Sequence, residues 1–71
     1  MVMKINDRER IGKRIKEIRL QKGITQEELA EMVGIQRASL SRIEAGRFSV
    51  GLDILSKIAG VLNCRIDIVN E

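Results

Sequence analysis

Seventy-one residues leave room for one small cored domain, because two would need roughly 100 or more. Phe48 is the only aromatic, Cys64 the only cysteine, and proline and histidine are absent; no internal disulfide, tetrahedral protein-only zinc set, or Ser-His or Cys-His pair can form, so neither metal, cofactor nor enzyme is expected. Thirteen Lys and Arg against ten Asp and Glu give a net charge of +3, and without an apolar run of roughly 18–20 residues or a signal peptide the chain reads as cytoplasmic, with no membrane segment.

Asn6 and Asp7 can cap a first helix over residues 7–22, in which Ile11, Ile15 and Ile18 form one apolar stripe that ends before Gly23. The segment 1–22 is strongly basic, with eight Lys and Arg against three acids. Thr25 and Glu28 then form a T-x-x-E capping box, with Ile24 placed to staple onto Leu29. The spacing predicts a second helix over 26–33, with Leu29, Ala30 and Val33 inward and Gly34 as its left-handed stop. Its charges, Glu27, Glu28 and Glu31, are all acidic.

A third helix is predicted over 36–45, its inner side marked by Leu40 and Ile43 and its end by Gly46. After a loop holding Arg47, Phe48 and Ser49, the stripe Leu52, Leu55, Ile58, Ala59, Leu62 predicts a fourth over 51–62. Residues 64–69 alternate instead, with Cys64, Ile66 and Ile68 on one side, a strand pattern. Phe48 is expected as a core or loop anchor, since one aromatic makes no base-stacking array.

Two short helices joined by a glycine-centred turn make a helix-turn-helix, whose second element fits a major groove roughly 12 Å wide. From Arg19 to Leu62 the chain reads R-x-x-K-G-I-T-Q-E-E-L-A-E-M-V-G-I-Q-R-A-S-L-S-R-I-E-A-G, then L-x-x-L-x-x-I-A-x-x-L. This closely resembles the lambda-repressor-like, Cro/repressor-type (XRE) helix-turn-helix family across about two-thirds of the chain. The resemblance implies an all-α fold, a compact four-helix domain over 7–62, to which the alternation at the end of the chain adds a short C-terminal β-strand in a dimerisation tail over 63–71. It departs from the family pattern where Gln36 replaces the Ser or Thr that opens helix three, and where Val50 and Gly51 replace Pro and a Ser or Thr cap before helix four.

Gln26 starts helix two, where its amide and the unbonded backbone N–H groups can hold a phosphate; the resemblance implies that it also braces the recognition helix. Arg37 and Ala38 match the family positions nearest the base edges, and Arg42 a third further along. An arginine can donate two hydrogen bonds to guanine, whereas Ala38 offers only an apolar contact, for example to a thymine methyl, so each half-site is expected to hold a G·C pair. Arg42 suits a base or a phosphate, Gln36 and Ser39 supporting contacts, Arg47 a phosphate, and Ser41 plain surface. Arg19 and Glu44 match positions that pair as a partly buried ion pair, a structural rather than a binding role.

These readings point to sequence-specific binding of double-stranded DNA, a palindromic operator, by a small transcriptional regulator expected to act as a repressor at the nucleoid. The rival is a protein-binding role, the antitoxin of a toxin–antitoxin pair that binds a toxin partner and its own operator. A single-stranded RNA binder would want stacking aromatics, which are lacking. With no room for a sensor domain, regulation is expected through abundance, turnover, competition or a partner. A strand at 64–69 needs a ladder partner, expected from a second copy in a homodimer, or else from Met1 to Ile5 of the same chain.

Overall fold

The computed structural model describes residues 6–70, which form α1 (Asp7–Gln21), α2 (Gln26–Val33), α3 (Arg37–Glu44) and α4 (Leu52–Val61). Every helix lies within one residue of its expected ends. The local reasons are visible at the starts. Asn6 Oδ1 accepts the backbone N–H of Arg8 at 2.7 Å, and Asp7 and Glu9 complement the positive end of α1. At α2 the Thr25 hydroxyl accepts the Glu28 N–H at 3.0 Å while Glu28 Oε1 accepts the Thr25 N–H at 2.9 Å. By contrast, α3 and α4 begin at Gln36 and Gly51 with no side-chain cap.

All four helices end in the same way. A left-handed residue turns the chain, and the next N–H reaches back five residues: Ile24 to Arg19, Ile35 to Ala30, Arg47 to Arg42 and Cys64 to Ala59, at 2.7–3.1 Å. Glycine supplies the positive φ at three of these ends, and Asn63, at 59°, at the fourth.

The core is Ile15, Leu29, Ala30, Val33, Leu40, Ile43, Ile58 and Leu62, with Ile11, Ile18, Ile24, Ile35, Val50, Ile54, Leu55 and Val61 packed around it. Helix α1 packs on α3, and α2 packs on both α3 and α4. Where α1 meets α3, Gly12 is buried, and a Cβ there would collide with the carbonyl oxygens of Ile43 and Glu44. The absent side chain lets the two backbones touch.

Two expectations need correcting. Residues 64–70 form no strand: no backbone ladder reaches them within the described residues, and Ile66, Ile68 and Val69 are exposed, Ile68 by 96%. An extended segment becomes a strand only when another backbone accepts and donates alongside it. The alternative pairing with Met1 to Ile5 lies outside the described residues. Leu52, expected in the inner stripe, is 66% exposed at the first position of α4, while Ile54 and Val61 pack against the core. Of the two places expected for Phe48, core or loop, the structure gives the loop: it is 47% exposed, on the rim of a cleft shared with Ile11, Ile43, Val50 and Leu55.

Candidate nucleic-acid interface

At 100° per residue, Leu40 and Ile43 fall on one side of α3 and Ala38 and Arg42 on the other, while Arg37, which opens the helix, lies about 20° from Glu44. Leu40, Ile43 and Glu44 are buried, while Arg37, Ala38 and Arg42 are exposed, with Ala38 and Arg42 on the outward arc and Arg37 at its edge. Ser41 falls between Arg37 and Arg42 on that outward arc and is half-buried, so it lies with the candidate base-reading residues rather than apart from them. Ser39 is half-buried at the edge of the arc, and Gln36 and Arg47 are exposed at the two ends of the helix. The exposed residues of this segment therefore run from Gln36 and Arg37 at the helix start, through Ala38 and Arg42, to Arg47 beyond its end.

What fixes that side in space is a polar network beneath it. Arg19, near the end of α1, donates Nε to Glu44 Oε2 at 2.7 Å and Nη2 to Oε1 at 3.1 Å, a two-pronged pair whose side chains are 7% and 2% exposed. The third guanidinium nitrogen donates to the Ile24 carbonyl at 2.8 Å, so Arg19 ties α1, the turn before α2, and α3 together. Gln26, the first residue of α2, donates Nε2 to Glu44 Oε1 at 3.0 Å. On its other side, Gln26 Oε1 lies 3.5 Å from Arg37 Nη1 at the start of α3, a long, exposed contact. Gln26 thus bridges the buried pair and the outward arc.

Charge follows the same division. Glu44, the only acid of α3, is neutralised by Arg19 in the interior, so the outward arc presents Arg37 and Arg42 with no opposing carboxylate of its own helix. Among the described residues neither Arg42 nor Arg47 is held in a salt bridge. Glu27, Glu28 and Glu31 are exposed on α2. The Thr25 backbone N–H and hydroxyl hold the Glu28 carboxyl below the usual carboxylate range.

A family model described as helix-turn-helix matches residues 15–69. The chain belongs to the lambda-repressor-like, XRE-type helix-turn-helix family. Within this family it is 44% identical over 54 residues to an uncharacterised helix-turn-helix-type transcriptional regulator of Archaeoglobus fulgidus, covering 76% of this chain and 77% of that one. It is 45% identical over 62 residues to the antitoxin PezA of Streptococcus pneumoniae, covering 86% of this chain but only 39% of that longer protein. The crystal structure of the restriction-modification controller protein C.AhdI from Aeromonas hydrophila superimposes with a TM-score of 0.80 at 34% identity, covering 83% of this chain and 89% of that one.

One contributor to this helix-turn-helix was not singled out from the sequence. Gly12 is a glycine inside an otherwise regular apolar stripe, which costs helix stability, and that cost points to a close packing contact. The Gln26–Glu44 bond matches the brace on the recognition helix that the resemblance implies, although its partner, 18 residues away, carries no local pattern.

Proposed function

We propose that the chain is a sequence-specific double-stranded DNA-binding transcriptional regulator, a repressor, that lays α3 in the major groove. The observation that carries this reading is the outward arc of Arg37, Ala38 and Arg42, held by the two-pronged Arg19–Glu44 pair and Gln26. On this reading Arg37 donates to a guanine edge, Ala38 meets an apolar base surface such as a thymine methyl, and Arg42 reads further along the groove. Gln26, Gln36, Ser39 and Arg47 surround the arc and serve phosphate or supporting contacts.

Operator binding by a homodimer completes the proposal. The exposed tail offers Ile66, Ile68 and Val69 to a second copy, whose own tail can supply the missing ladder. A groove of about 340 Å³ runs between α1 and α4 beside that tail, lined by Ile11, Ile15, Ile18, Leu55 and Ile66 among others, which gives the interface an apolar floor. Two recognition helices about 34 Å apart would then read one face of a palindromic site. Selection of binding sites from genomic fragments by the purified protein tests the whole reading. Enrichment of one inverted repeat with a G·C pair in each half supports it, and recovery of unrelated fragments refutes it.

A second reading is favoured by the likeness to a protein named an antitoxin. Here the same exposed tail would cover a toxin, and DNA binding would serve autoregulation. Co-purification of a tightly held protein partner from the native cell separates the two readings.

A further inference from the structure

Resting on the reading of the chain as a homodimer joined through its tail, we propose the register of that joint: residues 64–69 of two copies pair antiparallel about a two-fold axis at Ile66, so that Arg65 of each chain faces Asp67 of the other. The open edge of the tail is the first reason. In an extended segment the N–H groups of successive residues point to opposite edges. The Ala59 carbonyl already accepts the Cys64 N–H at 2.7 Å, and the Asp67 carboxylate accepts the Ile68 N–H at 2.8 Å. Both lie on the even-numbered edge, which leaves the edge of Arg65, Asp67 and Val69 to meet a partner.

The pattern of sides narrows the register further. Residues directly opposite each other in an antiparallel pair share a face. Cys64 and Ile66 line the apolar groove between α1 and α4, so only an axis that passes through a residue, rather than between two, keeps the apolar sides of both copies together. Charge and turn geometry then choose among the residues. An axis at Arg65 sets that arginine against its own copy, and one at Asp67 sets two carboxylates face to face; like charges directly opposite are unfavourable. An axis at Ile68 sets Ile66 against the polar Asn70, and one at Cys64 draws the left-handed Asn63 into the ladder. At Ile66 the charges attract instead: Arg65 and Asp67 lie on one side of the tail, 3.8 Å apart within the chain, and the axis exchanges them between chains. In this register Ile68, 96% exposed in one copy, stands opposite Cys64 of the second copy and comes down over that copy's groove.

The test is charge exchange in the full chain, read by sedimentation. Arg65→Asp makes both facing pairs acidic and Asp67→Arg makes both basic, so each variant should dimerise about tenfold more weakly than the parent. Mixing the two variants should restore dimers holding one chain of each, and the double variant Arg65→Asp with Asp67→Arg should dimerise like the parent. A parent that stays monomeric at micromolar concentration overturns the homodimer and the register with it. A parent dimer indifferent to these charges, or variants that fail to form mixed dimers, overturns the register while leaving the homodimer standing. Crosslinking gives a second readout. Ile66→Cys in a Cys64→Ser background should oxidise to a disulfide-linked dimer, because facing Cα atoms in a non-hydrogen-bonded pair lie about 4.5 Å apart, within disulfide reach. Cys64 of the parent, set opposite Ile68, should stay unlinked; a dimer crosslinked through Cys64 overturns the register.

Discussion

Gly12 of α1 lies directly against the carbonyl oxygen of Ile43 near the end of α3, with no space for a methyl group between them. This contact sets how closely the first helix approaches the recognition helix. It also brings Arg19, two turns further along α1, within reach of Glu44.

Gly12→Ala should therefore destabilise the fold. Alanine gains about 1 kcal/mol in an α-helix over glycine, but overpacking against backbone that cannot step aside costs about 1–3 kcal/mol. Collision with two carbonyl oxygens makes the second effect the larger. Thermal melting should show a lower midpoint, and a raised one would mean that the helices separate at no cost.

Removing one partner of the buried pair should do more harm than removing both. Glu44→Ala leaves Arg19 buried with only the Ile24 carbonyl as partner, and should cost about 3–5 kcal/mol. Arg19→Met combined with Glu44→Leu should recover much of that loss. A single variant that melts like the parent would show that solvent reaches Arg19.

The fold was legible wherever a local signal stands for a local structure. The Thr25–Glu28 box, the left-handed turn at Gly34 and the spacing of Leu40 and Ile43 each report on residues within one or two turns of themselves. Asn63 plays the same part at the end of α4 with a weaker sequence mark. The tail misled because alternation at 64–69 records an extended preference, whereas a strand also requires a neighbour, and the described residues place none beside it. In the site, the outward placement of Ala38 and Arg42 follows from helical periodicity, whereas Arg37 is exposed as the residue that opens α3. The bond from Gln26 to Glu44 does not follow from periodicity, because it depends on the angle between α2 and α3.

Acid should loosen the start of α2. The Glu28 carboxyl is held below its usual range by the Thr25 N–H and hydroxyl, so its contribution is fully present above the unfolded-state value of about 4.3. It is lost as pH falls through the lower folded-state value. Glu28→Gln still reaches the Thr25 N–H but does not titrate. The parent should be the more stable of the two near neutral pH, with the gap closing below about pH 4. A gap independent of pH would exclude the carboxylate as the cause.

Deleting residues 64–71 should yield a monomer with much weaker operator binding, measured by sedimentation and by titration on one duplex. The four helices should remain folded, since Leu62 is the last core residue. An unchanged dimer after deletion would reject the tail as the interface.

If α3 reads bases while its neighbourhood holds phosphate, the two roles separate in the affinity of the parent, Arg37→Ala and Arg47→Ala for the selected site and for an unrelated duplex over a range of salt. Arg37→Ala should lose about 1–3 kcal/mol on the selected site alone and relax the preference at one base pair. Arg47→Ala should weaken both duplexes alike and reduce the salt slope by about one unit. A parent protein that binds the two duplexes equally, or an Arg37→Ala variant that weakens both to the same degree, would contradict the account.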